Sequence, residues 1–397
     1  MPTIQRLNHK GEGVPKDGAP IPRVLPGEVV EEGRIVTPSP DRVAAPCKHY
    51  KSCGGCAMQH ASDAFVAEWK TDVIRLGLSA RGIETDIRPI LTSPASSRRR
   101  ATLHGKRTKS GAMVGFFGRA SDNLMAVPGC TLLDPAILAA IPLLEELTIA
   151  AASRKTTVGL MVSVSEAGLD IDVRDGKELH PQGILEMAAL AEQHKLARLS
   201  WDGEAIATRV PPLQTFGPAQ VTPPPGAFLQ ATAQGQADLS ACVAEALGNA
   251  KQVVDLFAGC GTFSLPAAQT AEVWALENDK SLIDALDAGW RKAQGLKKIT
   301  AEVRDLFRRP LLPDELRKTN AVIIDPPRAG AEAQSIELAQ SNVARIAAVS
   351  CNPVTFARDA EILIQGGYRL DWVQPVDQFR WSSHVELAAQ FTKAHMG

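Results

Sequence analysis

The chain has 397 residues, 45% of them hydrophobic and 22% charged, enough for two or three compact units with sizeable cores and against wholesale disorder. A formal net charge of -1 excludes a generally basic nucleic-acid coat, so any RNA binding must come from local clusters of Lys and Arg. No apolar run approaches the roughly 20 residues of a membrane helix, and the N-terminus carries charges and prolines where a signal peptide has its apolar stretch, so a cytoplasmic monomer with no membrane partner is expected.

Residues 1–46 are rich in Gly, Pro and charge and read as a short module or arm, with candidate strands at Arg23–Leu25 and Glu28–Val30. Three cysteines follow, and then Phe65, Val66, Trp69, Val73, Ile74 and Leu76 recur at helical spacing, which predicts a helix over Asp63–Leu78. Residues 91–210 read as a mixed, mostly sheet domain with strands at Met113–Phe117, Gly159–Val164 and Leu169–Val173, broken by a helical stretch from Pro135 to Ala152. The proline-rich run Pro211–Pro225 predicts a linker.

Beyond it, apolar strands at Gln252–Phe257, Glu272–Glu277, Ile299–Asp305, Ala321–Asp325 and Arg345–Ser350 alternate with helical stretches, the pattern of a parallel sheet covered on both faces. Tyr368–Val373 and Val385–Phe391 have no helix between them and predict an antiparallel hairpin at the sheet edge. The fold class is therefore α/β, with a mostly β central domain ahead of it.

The first of these strands runs into Asp255-Leu256-Phe257-Ala258-Gly259-Cys260-Gly261-Thr262, where glycines let a ligand approach the backbone. A dinucleotide fingerprint would place its third glycine at Ser264, and an acidic residue opens the motif, so S-adenosylmethionine is favoured over NAD. Glu277 ends the second strand, where a carboxylate can accept ribose hydroxyls. Asp305 and Asp325 end the third and fourth, so with Asp255 four consecutive strands deliver carboxylates to the ligand edge.

Cys351 follows the fifth strand in Ser350-Cys351-Asn352-Pro353, with Asn352 suited to cap a helix and Pro353 to begin it. A helix N-terminus favours the thiolate, so a reactive nucleophile is expected here. Carbon 5 of uracil is a poor nucleophile, and a thiolate adding to carbon 6 creates the enolate that accepts a sulfonium methyl; a base must then remove the carbon 5 proton. Glu386 is the candidate base, with His384 in competition.

Taken in order, Arg98-Arg99-Arg100, Phe228-Leu229-Gln230, the Asp255–Thr262 loop, Asp325-Pro326-Pro327-Arg328-Ala329-Gly330, the run from Ser350 to Asp359, and Asp377-Gln378-Phe379 before His384-Val385-Glu386 make a specific signal. The chain resembles the RNA uracil-5-methyltransferase family over most of its length, and within it the iron–sulfur members that act on bacterial 23S ribosomal RNA. The resemblance implies a class I methyltransferase domain over 215–397, a shortened TRAM/OB-like module over 1–46, a central RNA-binding domain over 47–58 and 92–214, and a helical segment over 59–91 packed on the catalytic domain. It implies Cys351 as nucleophile, Glu386 as proton acceptor, and Gln230, Phe257, Gly259, Thr262, Glu277, Asp305 and Asp325 around the methyl donor. Thr262 and Asp305 stand where this branch usually has asparagines, Thr232 departs from the asparagine usual after Phe-Leu-Gln, and Arg380 replaces a proline.

Cys47, Cys53 and Cys56 form C-x5-C-x2-C, with Cys130 a distant fourth, a donor set that suits an iron–sulfur cluster or a structural zinc equally by spacing. The resemblance implies a four-iron, four-sulfur cluster. The basic stretch Arg98–Lys109 is a candidate phosphate contact, and a solvated strand is the plainer explanation for it. RNA cytosine-5 methylation is the nearest rival activity, but those enzymes carry a further cysteine after the fourth strand, where this chain has Asp325-Pro326-Pro327-Arg328. Transfer RNA uridine-5 methylation and a catalytically silent RNA-binding assembly role are also compatible with the sequence.

Overall fold

The computed structural model describes residues 2–394; Met1 and residues 395–397, the ends of the expected first and last modules, lie outside it. At its centre is a nine-stranded sheet in which Ile299–Val303, Glu272–Glu277, Gln252–Leu256, Ala321–Ile324 and Arg345–Ser350 run parallel in that spatial order. Near-continuous burial of the inner strands, Ala321–Ile324 on all four residues, fits a sheet covered on both faces. The first strand occupies the middle and the chain reverses direction across the sheet there, which leaves a crevice at the carboxyl ends.

The antiparallel hairpin is present, but not at the edge. Glu386–Lys393 inserts between Arg345–Ser350 and Tyr368–Asp377, and the outer side of Tyr368–Asp377 is covered by short parallel strands Asp86–Ile87 and Leu91–Thr92. Tyr368–Asp377 is buried at eight of ten residues, so an open edge there would leave an apolar ladder unpaired. The covering strands lie too short and too far back in the chain to be read from local pattern.

They follow the helix Asp63–Ser79, whose N-cap Ser62 accepts from the Phe65 N–H. Ile74 and Leu78 are buried in one core with Val254, Phe356 and Leu363, and Gly77 brings this helix against the carbonyl of Pro353. Residues 63–92 thus contribute a helix and two strands to the body built on the nine-stranded sheet.

The central region is a seven-stranded sheet, from Leu124–Ala126 through Ala112–Phe117, Arg100–Arg107, Thr157–Ser165, Gly168–Arg174 and Arg198–Trp201 to Glu204–Thr208. Leu103, Leu160 and Ile171 share its core with Leu144, Leu147 and Met187. The helical stretch after Pro135 is two helices, Pro135–Ala139 and Ile141–Ala151, because Pro142 has no N–H to continue the first ladder and instead suits the first turn of the second. A further helix, Pro181–Gln193, goes beyond what the apolar pattern predicts.

The N-terminal residues form a three-stranded sheet, Ile4–Leu7, Glu12–Pro15 and Ile21–Pro22, and a hairpin of Val29–Glu31 with Arg34–Thr37. Arg23 has a φ of +61°, a left-handed turn that excludes the expected strand at Arg23–Leu25. Fully buried Glu28 accepts from the Leu25 and Ser39 N–H groups and from Arg42, which fastens the module's loops together.

The proline-rich stretch is not a simple linker. It holds the hairpin Gln214–Phe216 with Ala219–Val221, and Phe216, Ala219 and Val221 are buried in the core of the nine-stranded sheet with Leu239 and Leu286. Phe216→Ala is therefore expected to cost about 3–5 kcal/mol, as for a core aromatic, where a linker residue would cost almost nothing. Urea unfolding midpoints of the two proteins measure this.

Candidate active site

At the carboxyl ends of the parallel strands lies a cleft of about 540 Å³ lined by Gln230, Phe257, Gly259, Thr262, Glu277, Asp305, Asp325, Cys351 and Glu386, together with Phe228, Arg304, Phe307 and Arg328. All nine residues that the sequence points to around the methyl donor and the reacting base come together there. His384 does not line it and is exposed.

The loop after Leu256 shapes one wall. Phe257 has a φ of +63°, an unfavourable conformation for a bulky residue that persists only when its surroundings enforce it, and here the Ala258 N–H donates to the Leu276 carbonyl at 2.9 Å. Its ring lies 5.5 Å from that of Phe307, centroid to centroid. Gly261 needs to be glycine, since its φ is +95° and a Cβ would stand 2.8 Å from Leu265 Cδ1. Gly259, at φ +55°, faces open space on the cavity side.

Glu277 is fixed by backbone donors, with Gly259 N–H at 3.1 Å from one oxygen and Asn278 N–H at 2.7 Å from the other. Asp305 lies two residues beyond its strand, which ends at Val303, and accepts from the Phe307 N–H at 3.0 Å, an Asx turn that carries the Phe307 ring to the cleft. Asp255 behaves differently from the other three carboxylates. It is fully buried outside the cleft lining, accepts from Ser264 Oγ at 2.5 Å, and its second oxygen has no partner among the described residues. It supports the loop from below.

Burial dominates the electrostatics of the far end of the cleft. Glu386 is pushed up to about 8 by burial and then by the Asp325 carboxylate, against the hydrogen bond from Gln378, and Asp325 is pushed up to about 7 by burial. The Cys351 thiol is pushed up to about 11 by burial, then by Glu386 and Asp325, with Arg328 opposing. This corrects the expectation of a resting thiolate. The helix Pro353–Gln365 has little to offer the sulfur, because Pro353 lacks an N–H and the Val354 N–H donates to the Asn352 cap at 3.1 Å.

Gln378 lies in a sequence motif that by itself gives no hint of its role. Its side-chain nitrogen donates to both Glu386 and Gln230, and its oxygen accepts from the Ala231 N–H at 2.7 Å, so one buried amide sets two cleft residues. Phe228 and Phe307, 60% and 52% exposed, are large apolar groups at the cleft that periodicity gives no reason to choose. Arg328 is aimed by the helix behind it, whose Asn352 and Thr355 side chains donate to its carbonyl at 2.9 and 3.2 Å.

Within the basic stretch, Arg99 is engaged internally, donating to the Gln230 carbonyl at 3.3 Å and to Gln236 at 2.7 Å. Arg100 donates to the Ala227 carbonyl and lies 5.1 Å from the Phe228 ring centroid. Lys106, Arg107 and Lys109 remain exposed.

Cys47, Cys53, Cys56 and Cys130 lie away from this cleft, with Cys53 bridged to Gly118 of the central sheet and both Cys53 and Cys130 packed against that sheet's core. Cys53, Cys56 and Cys130 all have thiols pushed up, chiefly by burial and further by neighbouring cysteines, Cys56 to about 12. The Gly55 and Leu132 N–H groups donate to Cys53 Sγ at 3.3 Å and Cys130 Sγ at 3.5 Å. Among the described residues no three His, Cys, Asp or Glu side chains stand close enough to hold a single metal ion.

Residues 222–394 match the family model of tRNA (uracil-5-)-methyltransferase. An RNA methyltransferase of Caulobacter vibrioides is 44% identical, with 98% of this chain and 99% of that protein covered. The chain belongs to the RNA uracil-5-methyltransferase family. RlmD, the 23S rRNA (uracil(1939)-C(5))-methyltransferase of Shewanella sp. (strain MR-7), is 29% identical over 99% of this chain and 95% of its own. The crystal structure of Pyrococcus abyssi tRNA (uracil-54, C5)-methyltransferase with S-adenosyl-L-homocysteine has the same fold, with a TM-score of 0.77 at 21% identity over 98% of this chain and 99% of that one.

The fold is thus that of the S-adenosylmethionine-dependent methyltransferases, α/β with a mainly β region before it. No helix among the described residues is long and apolar enough to cross a membrane. Two of the departures from the family pattern have local explanations. Thr232 caps the helix Ala233–Leu247 through the Gly235 N–H at 2.9 Å, the task an asparagine performs, and Arg380 donates to Asp63 at 2.7 Å.

For Asp255 the folded pKa of about 7 lies above the ordinary value near 3.9, so its burial contributes stability that is present below pH 4 and is lost as pH rises through 7. Asp255→Asn removes that slope but buries an amide N–H without a partner, a cost of about 1–3 kcal/mol. The variant is expected to be less stable than the parent at pH 5 and to draw level by pH 8, as measured by urea melts at both values.

Proposed function

We propose that this protein methylates carbon 5 of a uridine in 23S ribosomal RNA, with Cys351 as covalent nucleophile and Glu386 as the base. The observation that carries the reading is the meeting of a thiol, a buried carboxylate and a donor-shaped cleft in one cavity. The full-length likeness to RlmD and the four cysteines support ribosomal over transfer RNA as substrate.

In this reading Glu277 would take the ribose hydroxyls, Phe257 and Phe307 would offer an apolar wall to the adenine, and Gln230, Gly259, Thr262, Asp305 and Asp325 would complete the donor's seat. Bound there, S-adenosylmethionine supplies an electrophilic methyl on a positive sulfur, whose charge favours ionised Asp325, Glu386 and Cys351. The target base leaves its stack to reach Cys351. Cys351 loses its proton to solvent, and its thiolate adds to carbon 6 while the pair of the carbon 5–carbon 6 double bond shifts toward carbon 5, which becomes electron-rich. After carbon 5 is methylated, Glu386 accepts its proton, the carbon 5–carbon 6 double bond re-forms and the thiolate leaves. A carboxylate near 8 is a strong base for this task.

The cysteine set fits a four-iron, four-sulfur cluster held by Cys47, Cys53, Cys56 and Cys130. The cysteines stand near enough to raise one another's pKa, and N–H donors to two of the sulfurs would stabilise them as thiolate ligands. Its contribution would be structural, since the methyl transfer needs no electrons.

Unmodified 23S RNA incubated with labelled methyl donor should yield 5-methyluridine on nucleoside analysis, and 5-methylcytidine would sink the reading. Cys351→Ala should abolish turnover, and Glu386→Gln should methylate once and remain covalently bound to the RNA, seen as a labelled band that survives denaturing gels. Anaerobically purified protein should carry about four iron and four sulfide per chain; stoichiometric zinc would replace the cluster assignment.

A further inference from the structure

The segment that carries Gln378 to Glu386 is held from outside the catalytic domain's own sequence. Lys70, fully buried on the helix Asp63–Ser79, places Nζ 2.6 Å from Asp377 Oδ1 and 3.2 Å from the Phe379 carbonyl. The same Asp377 oxygen accepts from the Phe379 N–H at 3.0 Å. Two more ties come from the residues just after Cys56, since the Ala57 and Met58 N–H groups both donate to the Trp381 carbonyl, at 2.7 and 2.9 Å, with Trp381 held at a φ of +61°.

Between the Lys70 ties at 377 and 379 sits Gln378, whose amide touches Glu386 directly. A buried ion pair is poor as a source of stability, because apolar residues of like volume do as well or better; its best-attested use is to fix one geometry among several. Here the geometry it fixes is that of the residue contacting the base.

We propose that Lys70 is a positioning residue for the proton-removal step, acting through Asp377 and Gln378 on the Glu386 carboxylate; this rests on the base role given to Glu386 above. In that step the carbon 5 proton passes to Glu386, its bonding pair forms the carbon 5–carbon 6 double bond, and the pair of the carbon 6–sulfur bond returns to Cys351. Cys351 itself is carried by a different part of the fold, between the strand Arg345–Ser350 and the helix Pro353–Gln365. Loss of Lys70 therefore slows release without slowing adduct formation.

The test uses full-length Lys70→Met/Asp377→Leu, which removes both charges so that neither is left buried alone. With a 23S RNA transcript and labelled methyl donor, the denaturant-stable adduct should form at the parental rate and decay roughly ten- to hundredfold more slowly, the penalty of a small misplacement of a reacting group. If the double variant does not fold, Asp377→Asn, which keeps an oxygen for the Phe379 N–H, should lengthen the adduct lifetime in the same direction. A parental lifetime, or formation and decay slowed in equal proportion, overturns the proposal. Glu386→Gln is run alongside: if it accumulates no adduct the base assignment fails and takes the proposal with it, whereas a trapping Glu386→Gln beside an unchanged double variant overturns the role of Lys70 alone.

Discussion

The desolvation of three ionisable groups at the deep end of one cleft is the constraint from which the remaining arrangement follows. Asp325, Cys351 and Glu386 each hold their protons more tightly than in water, because burial penalises charge, and the Asp325 carboxylate further disfavours ionisation of Glu386 and Cys351, as Glu386 does of Cys351. A cation bound in such a cleft favours the ionised form of all three groups.

Neutral groups need partners as much as charged ones, and the Gln378 amide provides them. By donating to Gln230 and Glu386 together it couples a residue from the entrance of the catalytic domain to one on its last strand. Removing either partner would leave buried donors or acceptors unmatched, which is more costly than the bond itself is worth. This explains how two residues 156 positions apart in the chain can share one fixed geometry without any strand pairing between them.

Much of this was legible from sequence. Strong period and long apolar runs marked the parallel strands within a residue or two, and spacing of acidic residues at strand ends led to Glu277, Asp305 and Asp325. Asp255 misled, because position at a strand end does not say whether a side chain turns toward the ligand or under the loop. The upward push on the Cys351 thiol was equally hidden: helix caps are visible in sequence, but burial by residues from other segments is not. The two-residue strand at Asp86–Ile87 carries no local signal at all, and the hairpin within Pro211–Pro225 was masked by the prolines that flank it.

The interleaving of the chain has a consequence for its biosynthesis. The helix Asp63–Ser79 and the strand Asp86–Ile87 leave the ribosome nearly three hundred residues before the Tyr368–Asp377 strand they cover. At ordinary elongation rates, that is a wait of roughly 15 to 60 seconds in which the short strand and the Ile74–Leu78 face of the helix lack their final partners. The nascent protein thus reaches its final form only when almost complete, and a chain cut short before residue 368 would expose a surface suited to chaperones or to aggregation.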